Sequence, residues 1–286
     1  MQTQTYADKL AVLQAESERI TQYLTQLPPV TWDQPSACGQ WQIQDVVAHL
    51  VGVAEFYADN ISRGLQGDTA PPPGRPPAGS ITATMAADGA AQRAIATRET
   101  LGDRLLATFR ATNEHLCRLL ADLHPDEQLK PCYHPGGIIR AHQFIDLRLK
   151  ELALHEWDIR SQLEPNTQLA TASYPAIIRL IDDSIASGSL RWGFSAGEQL
   201  SNPVRYRFEI TGPTPYQTDL VVTGDTAQQE AVGTDQANVT FQCDTETFVL
   251  LVYGRLPLDV AMHEGQLTTE GDRELAAAFT QWFKGI

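Results

Sequence analysis

Apolar positions recur at helical spacing through the first 165 or so residues and at strand spacing in short runs beyond them. Leu10, Leu13, Ile20 and Leu24 mark one face of a first helix, expected over about 5–27 and stopped by Pro28-Pro29. Val46, Val47, Leu50 and Val53 mark a second, from about Gln42 into the 60s. The run GLQGDTAPPPGRPPAGS, Gly64 to Ser80, cannot continue that helix, because proline lacks the amide donor and clashes with the preceding turn. It reads as a surface loop, a lid or rim. A third helix is expected over about 88–122, with Ile95, Leu101, Leu105, Phe109 and Leu116 on its apolar side. The connection HPDEQLKPCYHPGG leads to a fourth over about 138–162. Four amphipathic helices of this length predict a four-helix bundle.

The pattern changes after Glu164-Pro165-Asn166. A helix over about 174–190 precedes strand-like runs at Val204–Ile210, Leu220–Thr223 and Asn238–Gln242. Helices over about 244–252 and 272–284, with a short strand near Gln266–Thr269, complete an α+β pattern. The expected division is a helical domain over 1–165 and a smaller α+β domain over 170–286.

Composition removes several classes of function. At 42% hydrophobic and 20% charged residues the chain is globular, and no run approaches the roughly 20 apolar residues of a membrane span. Net charge of −14, from 21 Lys+Arg against 35 Asp+Glu, argues against nucleic acid and anionic membranes as partners. The opening MQTQTYADKLAVLQAESERI has neither a basic start nor an apolar core, so no secretory signal is expected and the cytoplasm is the expected location. Cys38, Cys117, Cys132 and Cys243 form no C-x-x-C pair and read as reduced packing residues. A monomer is the simplest expectation.

Chemistry concentrates on the expected fourth helix, in RLKELALHEWDI. At about 100° per residue, Arg148, Glu151, His155 and Asp158 fall within an arc of roughly 80°. Glu151 and His155 lie one turn apart, so a carboxylate and an imidazole can address one external atom. A third ligand would come from another helix, and His49, set among Val46, Val47, Leu50 and Val53, is the candidate. Asp45, one turn earlier, is expected to orient the other nitrogen of His49. Two histidines and a glutamate leave a fourth position open, as catalytic zinc requires, and nickel, iron or manganese also suit these donors. The same residues have plainer readings: His49 as a core histidine, Glu151 with His155 as an i,i+4 pair, Arg148 with Glu151 as an ion pair. His134 and His142 flank the start of the fourth helix, where they can reach a pocket mouth or simply occupy a loop. Cys38, in SACGQW, is either a thiol near a helix start or a packed small residue. No GxSxG, P-loop or Rossmann fingerprint is present.

Two stretches carry a family resemblance. WDQPSACGQWQIQDVVAHL, Trp32 to Leu50, and the pattern Arg148, Glu151, His155, Asp158 resemble the mycothiol-dependent maleylpyruvate isomerase family, a branch of the DinB-like metal-binding bundles. The run from Leu250 to Ile286, with Gly254-Arg255, Gly265 and Gly271-Asp272, resembles the sterol carrier protein-like α+β domain that follows the bundle in that family. The proline loop 70–77 is not recognised as a family feature.

The resemblance implies a fold of DinB-like four-helix bundle plus sterol carrier protein-like domain, with His49, Glu151 and His155 as ligands to Zn2+ or another divalent metal. It also implies a low-molecular-weight thiol such as mycothiol, bacillithiol, glutathione or ergothioneine, acting on a small electrophilic, carboxylate-bearing substrate. Cis-trans isomerisation is the activity expected first, with thiol S-transfer, a thiol-independent metal hydrolase and a non-catalytic small-molecule binding protein as alternatives. Arg255 is the expected substrate clamp, with Arg148 as a second, and Arg255 and His142 are the cofactor-binding candidates.

Overall fold

In the computed structural model, which describes residues 4–81, 83–187, 200–224 and 226–283, the chain divides between Ser173 and Tyr174 into two compact units. The first is helical. Helix α1 spans Tyr6–Gln26, where Thr5 and Asp8 cap each other reciprocally. Helix α2 spans Ile43–Leu65 and begins with a second such box, the Asp45 carboxylate accepting from the Gln42 amide at 2.9 Å.

The single helix expected over 88–122 is two: α3, Ala83–Leu101, and α4, Leu105–Ala121, separated by a 3-10 turn at Gly102–Arg104. Gly102 breaks the run because its φ is +49°, in the left-handed region that interrupts a right-handed helix. The fourth expected helix also begins later, as α5 at Gln143–Arg160. Ahead of it the chain forms a hairpin of β1, Pro131–His134, and β2, Gly137–Arg140, in which Cys132 faces Ile139. Helices α1, α2, α4 and α5 make the bundle, and α3 lies against α2. Leu13, Ile20, Val47, Leu50, Phe109, Leu116, Leu149 and Leu152 fill the bundle, each at most 1% exposed. Burying one such side chain contributes about 1.5–3 kcal/mol, so packing outweighs local propensity in fixing the helices.

The second unit is built on a sheet. After α6, Tyr174–Ala186, come β3, Leu200–Ile210, β4, Tyr216–Gly224, β5, Thr226–Glu230, and β6, Val239–Cys243. Helices α7, Thr245–Val252, and α8, Leu258–His263, precede β7, Leu267–Gly271, and α9, Arg273–Trp282. The strand order is β5-β4-β3-β6-β7, with β3 and β6 parallel and the other pairs antiparallel. Sequence reading misses β5, whose TAQQE has no apolar alternation, and α8, which has only six residues. The ends expected for two helices, 188–190 and 284, lie outside the described residues. Phe208, Phe241, Phe248 and Phe279 meet at the core of this unit. An apolar cavity of about 340 Å³ opens beside them, lined by Phe208, Leu220, Leu251 and Leu258 among others. Among the described residues no helix is long and apolar enough to cross a membrane.

Candidate metal centre

Packing α2 against α5 brings three of the sequence-predicted residues to one point. His49 Nε2 lies 3.1 Å from Glu151 Oε2, and His155 Nε2 lies 3.4 Å from the same oxygen. The imidazole rings of His49 and His155 are 4.8 Å apart and nearly perpendicular. One ligand atom from each of the three residues lies within 4.8 Å of the others, a spacing at which a single cation can bind all three. Their side chains are 16%, 12% and 10% exposed, so the cluster is recessed but reachable.

The neighbours decide which atoms face inward. Lys150 Nζ sits 2.9 Å from Glu151 Oε1, which leaves Oε2 for the imidazoles. Asp158, fully buried, lies with Oδ2 2.9 Å from His155 Nδ1; it orients the ring so that Nε2 points at the cluster. Burial pushes the Glu151 carboxyl up, but Lys150, His155 and His49 together hold it well below the usual range, so it remains an anion. Burial pushes His49 down. His155 feels the same burial, and the partners Asp158, Cys38 and Glu151 override it and hold the ring well above its ordinary value. An ionised carboxylate between two imidazoles aimed at one oxygen is the donor chemistry of a divalent site, so the residues present fit such an ion.

A turn ahead of α2 walls the cluster. Ser36 N donates to Trp41 O at 2.9 Å, and Ala37 N donates to Asp158 O at 2.8 Å, which clips the turn onto the end of α5. Trp41 thereby packs 5.2 Å from His49 and 6.3 Å from His155, ring to ring. Half-buried Cys38, with His155 and Asp158, forms a second group whose ligand atoms lie within 4.8 Å of one another.

The expected partners of Asp45 and Arg148 are corrected. Asp45 does not orient His49: its Oδ2 caps α2 and its Oδ1 accepts from Arg98 Nη1 at 2.8 Å, because a carboxylate at the third helical position is drawn to its own helix start. Arg148 makes no direct pair with Glu151. Its guanidinium, fully buried, donates through Nε and Nη2 to Asn113 Oδ1 at 3.2 and 2.7 Å and through Nη1 to the Leu50 carbonyl at 3.0 Å. Burial pushes it down to about 10, with Glu151 opposing the fall. His142 caps the start of α5, its amide donating to Gln128 O at 3.0 Å. Arg255 belongs to the second unit, where Nη1 donates to the Tyr253 carbonyl at 2.7 Å.

A cavity of about 760 Å³ opens beside the cluster, with His49, Phe56, Tyr57, Arg75, Arg93 and His134 among its lining residues. Sequence reading missed Lys150, Asn113, Arg75 and Arg93; the one available signal was an arginine inside the proline loop 70–77, which is otherwise uncharged.

Comparison with known proteins follows the same division. The family described as mycothiol maleylpyruvate isomerase N-terminal domain matches residues 13–160, and the SCP-2 sterol transfer family matches residues 198–284. The crystal structure of the mycothiol-dependent maleylpyruvate isomerase is 13% identical over 93% of this chain and 93% of that one, with a TM-score of 0.63. A histidine-to-alanine mutant of that enzyme is 14% identical over the same 93% shares, with a TM-score of 0.64. At such identity the likeness is one of fold. No curated protein matches.

Proposed function

Because the chain belongs to the mycothiol maleylpyruvate isomerase N-terminal domain family, we propose that it is a metal-dependent enzyme using a low-molecular-weight thiol to isomerise a small cis-configured, carboxylate-bearing substrate. The observation that carries this reading is the convergence of His49 Nε2, His155 Nε2 and Glu151 Oε2. When bound there, a divalent cation such as zinc supplies the positive charge that keeps the thiol's sulfur deprotonated near neutral pH.

The chain's own residues supply the rest. Glu151 stays ionised and presents one oxygen, Lys150 holding the other. Asp158 fixes the His155 ring, and Trp41 shields the two imidazoles from bulk water on one side. The chemistry needs addition of sulfur to one carbon of the cis double bond, with its π electrons moving into the adjoining carbonyl. Rotation about the resulting single bond and loss of the same sulfur then restore the double bond as trans. Charge that builds on the substrate oxygen needs a cation, while Arg148 acts from behind by holding α5 against α2 and α4.

The test begins with protein purified without chelators, which should carry about one zinc per chain, lost in His49→Ala. Candidate thiols are then titrated calorimetrically into holo and stripped protein, and cis-substrate consumption is followed with and without thiol. Equal thiol binding by both forms, or turnover without thiol, would overturn the reading. A thioether product would redirect it to S-transfer.

A further inference from the structure

The cavity beside His49 has two cations on its wall. Arg75 comes from the proline-rich loop and Arg93 from α3, elements that reach the cavity independently. The loop is fastened for this: Tyr133 OH donates to the Pro76 carbonyl at 2.6 Å, and Gly79 N donates to the Pro135 carbonyl at 2.9 Å, both on the hairpin side. The Arg75 guanidinium stacks over the Phe56 ring, 4.5 Å from its centroid. Arg93 folds back along α3 to Gly89, where a Cβ would lie 2.7 Å from its Nη1; the missing side chain gives the guanidinium its seat.

Among the described residues neither guanidinium makes a hydrogen bond or an ion pair. Glu55 and Asp59 also line the cavity, but both are exposed and neither lies within ion-pair distance of Arg75 or Arg93. Burial pushes both arginines down, and Arg93 is pushed further by Arg75, so the two feel each other's charge. Arg75 is half-buried and Arg93 exposed, and two like charges facing one space, in a chain that carries −14 overall, offer an anion a place between them. Guanidinium forks suit a planar carboxylate, which they bind through paired hydrogen bonds.

We propose that Arg75 and Arg93 form a carboxylate-binding clamp on the wall of this cavity. The proposal does not rest on the functional reading above for where the anion sits.

The probe is maleate, titrated calorimetrically without thiol into zinc-loaded and chelator-stripped full-length protein, with dimethyl maleate as the uncharged control. Wild-type protein should bind maleate and bind the diester far more weakly. Arg75→Gln and Arg93→Gln should each weaken maleate about tenfold, the loss expected for one charge-assisted pair, and the double variant more. Zinc content and melting temperature should not change, and Arg110→Gln on the exposed face of α4 should bind as wild type. Maleate binding that both substitutions leave intact in folded protein, or none by wild type, overturns the clamp. Arginine-dependent maleate binding by protein that never takes up zinc instead sinks the metal reading and leaves the clamp standing.

Discussion

Two carboxylates withdrawn from solvent, Glu151 in the bundle and Asp219 in the sheet, offset the cost of desolvation with different partners. Asp219, fully buried on β4, accepts from Arg207 Nε at 2.7 Å and Nη2 at 2.8 Å and from Arg205 Nη1 at 3.1 Å. Arg207 is its register partner across β3 and β4, and Arg205 is two residues along the same face. Both oxygens are thus occupied by cations that never give up their protons. Glu151 instead shares one oxygen between two imidazoles, bases that can release a proton and offer a lone pair. A buried charge on its own does not mark a site; the exchangeability of its partners does. On that criterion the sheet cluster reads as structural, and the bundle cluster is the one for which we propose chemistry.

His49→Ala tests this contrast most severely. It should abolish metal retention and lower turnover by well over about a hundredfold, since even partners of ligands are worth 10–100-fold. Metal analysis beside a steady-state assay checks it, and retained metal would break the contrast. Asp219→Ala should instead cost about 1.5–3 kcal/mol of stability by removing the carboxylate shared by Arg205 and Arg207, which keep Glu230 and the Asp235 carbonyl, while turnover per folded molecule is unchanged. Denaturant melts read this loss, and a stable Asp219→Ala protein would show the sheet cluster to be incidental. Asp158→Asn keeps the shape but weakens the hold on His155, so metal affinity should fall about 10–100-fold with little change in melting temperature. Competition against a chromogenic chelator measures it.

The smallest expected effect concerns His134, which burial pushes down to about 4 from an ordinary 6.5. Between those values the unfolded chain takes up a proton that the folded chain refuses, so stability declines as pH falls through that window. In His134→Gln the acid limb of the stability profile should flatten by up to about one proton per molecule, leaving stability above pH 7 nearly unaffected. Parallel acid limbs for the two proteins would show that the ring titrates alike in both states.

How legible this was depended on how local the signal was. Arg148, Glu151, His155 and Asp158 share one helix, so spacing alone put them on one face. His49 required a guess about which helix packs opposite, and its apolar neighbours supplied that guess. Asp45 misled because distance along a helix says nothing of competition: the Gln42 amide and Arg98 claim both its oxygens. Gly102 broke a helix whose apolar pattern ran straight through, since periodicity does not register one left-handed residue. The hairpin at 131–140 was hidden because four-residue strands offer too few alternations. Arg75 and Arg93, on separate elements, had no sequence relation to detect.

The close seating of the hairpin on α2 has a consequence of its own. At Gly64 an added Cβ would fall 2.4 Å from Cys132 Sγ and 2.6 Å from the Pro131 carbonyl, so the hairpin rests almost directly on helix backbone. That hydrogen atom acts as a shim. Anything thicker tilts the hairpin, carries Tyr133 with it, and slackens its tether on the proline-rich segment. The mouth of the chamber next to His49 can therefore be resized from position 64, without altering a single residue that faces the chamber.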